Sequence, residues 1–246
     1  LEKNFKITIE YDGTDFYGWQ IQPDQKTIQG EIEKALETMT NSSVDLHGSG
    51  RTDAGVHAFN QTASFKCITN ITAESFKRSL NRLLPPEIAI KECVEVPFDF
   101  HARFSSKFKN YEYFILNREQ KPVMGRQYVW HIWKPLDIKK MKKAASFLKG
   151  THDFKSFEAA GSPRDHTVRT IKDLKVNTSG NGNISVEITA DGFLRYMVRN
   201  ITGTLVQVGS GKIDSDDISC ILKKKDRTAA GMTAPPNGLF LKKVIY

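Results

Sequence analysis

Gly48-Ser49-Gly50-Arg51-Thr52-Asp53-Ala54-Gly55-Val56-His57-Ala58 is the stretch on which the reading of this chain turns. It opens like the G-x-G-x-x-G cradle of a dinucleotide site, but the sixth position is Asp53, where that cradle needs glycine. A carboxylate there would also repel a pyrophosphate held at a helix N-terminus. Two readings remain for the residue itself. Asp53 is either a turn former bonding its own backbone, the commonest loop role of aspartate, or a reactive carboxylate carried on a loop.

The flanking segments set the fold class. Ile7, Ile9 and Tyr11 alternate as one face of a half-buried strand that runs into the Asp12-Gly13-Thr14 turn. Ile28, Ile32, Leu36 and Met39 predict a helix over 27–39, followed by a short strand through Val44 and Leu46 and another over 61–65. Phe76, Leu80, Leu83 and Leu84 mark a second helix, capped by Thr72 and stopped at Pro85-Pro86, before a strand over 88–96. Past a bridging segment near His101 to Ser106, Tyr111, Tyr113 and Ile115 share one strand face. Ile138, Met141, Ala145 and Leu148 form a helical stripe with Lys139, Lys140, Lys142 and Lys143 off it. Segments 171–176 and 184–188 read as a hairpin around Ser179-Gly180-Asn181-Gly182. Phe193, Met197, Ile201 and Leu205 predict a helix over 193–208, and a strand over 239–245 closes the chain. The sum is an α+β protein with a central mixed sheet, divided into lobes 1–105 and 106–246.

Composition narrows the partners. The chain has 246 residues, 39% hydrophobic and 26% charged, the balance of a protein with a buried core. Its 36 Lys and Arg against 28 Asp and Glu give a net charge of +8, which favours a polyanionic partner through counterion release. Cys67, Cys93 and Cys220 are dispersed and include no C-x-x-C pair, against a disulfide framework or a zinc site. A cytoplasmic location follows as the expectation. No apolar run reaches the ~18 residues of a membrane span, and no signal peptide is read behind Leu1.

Four further blocks accompany the central loop in order: Tyr11-Asp12-Gly13-Thr14 with Gly18-Trp19-Gln20, Phe100-His101-Ala102-Arg103-Phe104-Ser105 with Tyr111-Glu112-Tyr113, Met197-Val198-Arg199-Asn200-Ile201, and Gly238-Leu239-Phe240-Leu241. With G-R-T-D-A-G-V-H at Gly50 to His57, this series resembles the TruA-type tRNA pseudouridine synthases over nearly the whole chain. The resemblance implies the pseudouridine synthase fold with two ferredoxin-like lobes. It also implies isomerisation of uridine to pseudouridine at positions 38, 39 and 40 of the tRNA anticodon arm, by a homodimer that uses neither cofactor nor metal.

It assigns the catalytic carboxylate to Asp53. An ordinary aspartate, of pKa ~3.9, is ionised at neutral pH, but in a dry pocket it needs a cation beside it. The family pairs the arginine of M-V-R-N with this aspartate, and Arg199 holds that place. On the expected helix Arg199 follows Arg195 by four residues, so the two share a face and repel unless an anion lies near. Tyr111 matches the active-site tyrosine, able to stack on the target base or relay a proton, while Tyr113 reads as core. Arg51 is placed to hold a phosphate or fill the gap left by a flipped base, and Leu239 and Leu241 to wall the pocket. His57 reads as structural.

Arg103, Lys107, Lys109, Arg164, Arg169, Arg195 and Lys223-Lys224-Lys225 are candidates for guiding the RNA backbone, with the 139–143 lysines as a solvated helix face. The loop from Ala159 to Asp165 fits no family motif. The rival from another class is a non-catalytic RNA-binding protein on a ferredoxin-like sheet, but Tyr111 to Leu116 lacks the RNP core. A glycoside-type hydrolase would require a second carboxylate beside Asp53, and the motifs supply none.

Overall fold

A computed structural model of the chain describes residues 2–162 and 166–246. These form two compact units, one running to Lys107 and including Phe240–Tyr246, the other spanning Phe108–Leu239.

The first unit contains strand β1 (Glu2–Tyr11), helix α1 (Ile28–Thr40), strands β2 (His47–Gly48) and β3 (His57–Ile68), helix α2 (Ala73–Leu83) and strand β4 (Ile88–Val96). The order β4-β1-β3-β2 on a β-α-β-β-α-β chain is the ferredoxin-like plan. The alternation in β1 points Phe5, Ile7, Ile9 and Tyr11 into the core. Phe5 stacks on Phe65 at 5.4 Å and meets Phe76 of α2 at 4.9 Å, joining sheet to helix. Thr27 and Thr72 cap α1 and α2 by accepting the N–H groups of Gly30 and Ser75.

Strand pairing differs from the sequence pattern at two places. Val44 and Leu46 are buried, but the short strand begins only at His47, which pairs with Ser64. The backbone of Leu46 is satisfied instead by α1: its N–H donates to Glu33 Oε1 (3.0 Å) and its carbonyl accepts from Gln29 Nε2 (3.1 Å). The final strand, β10 (Leu239–Ile245), was grouped by sequence with the second lobe, whereas Phe240–Tyr246 belong to the first unit. Phe240 and Leu241 pair in parallel with His57 and Ala58, and Lys107 N–H donates to the Ile245 carbonyl at 2.8 Å. Non-local pairing of this kind leaves no mark on the local pattern.

The second unit contains β5 (Phe108–Asn117), β6 (Trp130–Ile132), α3 (Ile138–Ser146), β7 (Gly150–Asp153), β8 (Val168–Thr178), β9 (Asn183–Ala190), α4 (Met197–Gly209) and α5 (Ile218–Lys224). The run β5-β9-β8 repeats the arrangement of β1-β3-β2, extended by β7 on β8 and by β6 in parallel on β5. The β8–β9 hairpin turns where expected, with Gly180, Asn181 and Gly182 all at positive φ. Helix α4 buries eleven of its thirteen residues, so it acts as a central strut rather than an amphipathic surface helix. By contrast, α3 keeps Met141, Ala144 and Ala145 inward and all four of its lysines out.

Replacing Phe5 by alanine removes the ring that both Phe65 and Phe76 pack against. Urea unfolding should show a loss of about 3–5 kcal/mol, and a change below 1 kcal/mol would mean that the aromatic cluster does not anchor the first unit.

Candidate active site

The Asp53 loop leaves β2 and returns as β3, held by buried neutral groups. Ser49 N–H donates to the Thr62 carbonyl (2.8 Å) and Ser49 Oγ to Gln61 Oε1 (2.7 Å). Gln61 Nε2 reaches back to the Gly50 carbonyl at 3.0 Å, and the Gln61 side chain is fully buried. On the other side the hydroxyls of Tyr11 and Thr52 lie 2.8 Å apart, both buried. Burial pushes the Tyr11 phenol far above its usual range, with the Thr52 and Gln61 contacts pulling it only partly back, so it remains a neutral OH.

Segment 11–19 locks the loop from outside. Trp19 N–H donates to the Thr52 carbonyl (3.1 Å) and Gly55 N–H to the Phe16 carbonyl (3.3 Å). At Gly18, φ is +89° and a Cβ would stand 2.6 Å from the Thr52 carbonyl oxygen, so both the conformation and the close approach require glycine. His57 Nδ1 accepts from Gly13 N–H at 3.0 Å and lies 3.1 Å from Asp12 Oδ1. One nitrogen cannot accept from the first and donate to the second at once, but either contact ties the Asp12-Gly13 turn to β3. The buried ring also stacks on Phe240 at 4.6 Å. His57 is therefore a structural residue.

Asp53 sits at the tip of this scaffold, partly exposed, its carbonyl accepting from Val56 N–H at 3.1 Å to close a tight turn. Arg51, two residues earlier, is exposed. The loop thus carries a partly exposed Asp53 and an exposed Arg51, while its neutral groups are consumed inside. Arg103, also in the first unit, is exposed, with its guanidinium 5.5 Å from the Phe104 ring centre.

In the second unit Tyr111 lies on β5 opposite Ile188 and meets Phe193 edge-on at 5.0 Å. Tyr113, two residues on, is fully buried and donates its hydroxyl to the Pro235 carbonyl at 2.7 Å. Burial drives its phenol far upward against a smaller lowering by the Arg199 charge. It is a core residue. Leu239 is buried at the end of the unit.

The arginines depart from the expected geometry. Helix α4 starts at Met197, not Phe193, because Tyr196 adopts the left-handed conformation with φ +63°. For a bulky residue this costs roughly 1–2 kcal/mol, and outliers of this kind concentrate at functional sites. Arg195 and Arg199 therefore do not share a helix face. Instead their guanidinium carbons lie 5.0 Å and 4.6 Å from the Tyr196 ring centre, so the ring gathers both cations. Arg199 Nε donates to the Ala234 carbonyl at 2.8 Å. Tyr196 went unremarked in the sequence. Its one signal is its place between two arginines before M-V-R-N.

The other basic candidates vary. Lys107 is exposed, Lys225 pairs with Asp153 at 2.9 Å, and the Arg169 guanidinium folds back on the carbonyls of Val168 and His166. Arg164 and the 163–165 part of the unmatched loop lie outside the described residues.

The chain is an α+β protein whose first unit carries Asp53 on a hydrogen-bonded loop and whose second carries Tyr111 and two gathered arginines. The family model described as tRNA pseudouridine synthase matches residues 7–105 and 144–246. Asp53, Arg51, Arg103, Arg195, Arg199 and Leu239 fall within those stretches, and Tyr111 falls between them. The chain is 51% identical over 245 residues to tRNA pseudouridine synthase A of Thermoanaerobacter sp. (strain X514), covering 99% of this chain and 100% of that one. It is 47% identical over 244 residues to tRNA pseudouridine synthase A 2 of Clostridium perfringens (strain 13 / Type A), with the same coverage. The chain belongs to the tRNA pseudouridine synthase family, whose members are isomerases. Among solved structures it overlays on a Cbf5-Nop10-Gar1 complex with a TM-score of 0.35 and 8% identity, over 96% of this chain and 57% of that chain.

Thr52→Val should strip the buried Tyr11 hydroxyl of its Thr52 partner, leaving only the Gln61 contact, and cost about 1–3 kcal/mol. Adding Tyr11→Phe should recover part of that loss in thermal unfolding. Simple additivity of the two substitutions would show that the pair does not hold the loop.

Proposed function

We propose that this chain converts uridine to pseudouridine at positions 38, 39 and 40 of the tRNA anticodon stem-loop, with Asp53 as the catalytic nucleophile. The observation that carries the reading is the complete G-R-T-D-A-G-V-H loop, with Asp53 partly exposed on a backbone fixed by buried hydrogen bonds. The net charge of +8 fits a polyanionic substrate. The three free thiols fit a reducing compartment, the cytoplasm.

The reaction breaks the bond from uracil N1 to ribose C1′ and forms one from C5 to C1′. N1 gains a proton and C5 loses one, so the product is an isomer and no oxidant or group donor enters. An ionised carboxylate suits the nucleophilic role, and an aromatic ring suits the freed base as a stacking surface. The target base must first leave the stack, at a cost of a few kcal/mol. In this reading Asp53, Arg199 and Tyr111 are the catalytic residues. Tyr111 and Leu239 also line the uracil, and Arg51, Arg103 and Arg195 hold the RNA.

The test is nucleotide-resolution mapping of pseudouridine in an unmodified tRNA transcript bearing uridines at 38–40. Wild type should convert them, and Asp53→Ala, still folded and still binding tRNA, should convert none. Binding without conversion by either protein, across several tRNAs, would replace this reading with that of a non-catalytic RNA-binding protein. Release of free uracil would point to a hydrolase. The same reading makes the protein a homodimer, so sedimentation at assay concentration should give twice the chain mass, and a monomer would contradict it.

A further inference from the structure

Arg227 opens a 3-10 turn (Arg227–Ala229) after α5, and its partly buried guanidinium is spent on four neutral acceptors. Nη1 donates to the carbonyls of Gly231 (2.8 Å) and Ala230 (3.4 Å), and Nη2 to Thr233 Oγ1 (2.9 Å) and Asn200 Oδ1 (3.0 Å). Thr233 Oγ1 in turn donates a hydrogen bond to Asn200 Oδ1 at 2.6 Å. Asn200 is fully buried, follows Arg199 directly, and is anchored by donating Nδ2 to the Phe157 carbonyl at 2.8 Å.

These bonds lay segment 230–234 along α4. Gly231 N–H donates to Thr204 Oγ1 (2.9 Å), and Met232 approaches so closely that a Cβ on Gly203 would stand 1.8 Å from its carbonyl oxygen. The segment ends at Ala234, which exchanges two bonds with Arg199. Ala234 N–H donates to the Arg199 carbonyl (3.1 Å), and Arg199 Nε donates to the Ala234 carbonyl (2.8 Å). The Nε–H bond to Ala234 and the Tyr196 ring 4.6 Å away both constrain the plane of the Arg199 guanidinium. Arg227 holds the backbone that supplies one of them.

We propose that Arg227 is a positioning residue for Arg199, acting through Asn200, Thr233 and Gly231 to fix the Ala234 carbonyl on which the Arg199 guanidinium is registered. The inference rests on the reading of Arg199 as a catalytic residue. A basic residue so close to a lysine run suggests a phosphate contact, but this fork is turned onto its own chain. The planar fork meets four acceptors from two nitrogens in a fixed geometry, which the single three-donor ammonium of a lysine cannot reproduce.

The experiment measures single-turnover pseudouridine formation and tRNA affinity for Arg227→Lys, Arg199→Lys, Arg199→Ala and the Arg227→Lys/Arg199→Lys double variant. Arg227→Lys keeps the charge, so affinity should stay within about twofold while the rate falls ~10–100-fold, the scale of a slightly misplaced catalytic group. Arg199→Lys already lacks the Nε–H that Ala234 receives, so adding Arg227→Lys should lower the rate no further. Full additivity of the two effects would overturn the proposal, as would weakened binding at an unchanged rate. If Arg199→Ala leaves the rate intact, the catalytic reading of Arg199 fails. If Arg199→Ala is slow and Arg227→Lys is not, the positioning role alone fails. Should Arg227→Lys not fold, Thr233→Val replaces it, removing the two Thr233 Oγ1 bonds of the clamp, to Arg227 and to Asn200, without touching a charge. An unchanged rate in that variant also overturns the proposal.

Discussion

The Asp53 loop can lie where it does because the backbone of segment 11–19 comes into direct contact with it, and the rest of the first unit is arranged around that approach. Gly18 leaves no room for a side chain against Thr52, and Trp19 binds the Thr52 carbonyl. Ser49, Gln61, Thr52 and Tyr11 then satisfy one another in the interior. In a low-dielectric core an unpaired member of such a network is costly, so the loop has one favourable position rather than several. A carboxylate at its tip inherits that precision without being buried itself, as a preorganised site requires.

The second unit reaches the same end by strain. Tyr196 takes a conformation that disfavours any residue with a Cβ, and in doing so starts α4 four residues later than the apolar spacing suggests. The turn converts two arginines at helical spacing into two arginines about one ring. Asn200 and Thr204 of α4 bond to Phe157, Arg227 and the 230–234 segment, surrounding this point with hydrogen bonds. These bonds over-determine the local backbone, which lets a strained residue persist.

Much of the architecture was legible because it depends on local pattern. The strict alternation of β1, the Thr72 cap, the Pro85-Pro86 stop and the glycines of the β8–β9 turn each report a short-range rule, and each element appears near its expected bounds. Failures came where a distant group overrode the pattern. Leu46 looked like a strand residue, but α1 claims its backbone through Gln29 and Glu33. Residues 240–246 follow the second lobe in sequence yet belong to the first unit, where Phe240 and Leu241 pair with β3. Arg227 carried no legible sign, since a guanidinium facing its own chain and one facing RNA read alike in sequence.

By itself the sequence determined the α+β class, the family and the identity of the candidate carboxylate, since the first follows from periodicity and the others from contiguous residues whose order is their meaning. Only the tertiary structure decided which polar groups support that carboxylate, where α4 begins, how Arg195 and Arg199 are gathered, and what Arg227 binds. Those outcomes depend on hydrogen bonds and close backbone approaches between residues far apart in the chain, and such contacts exist only once the core has packed.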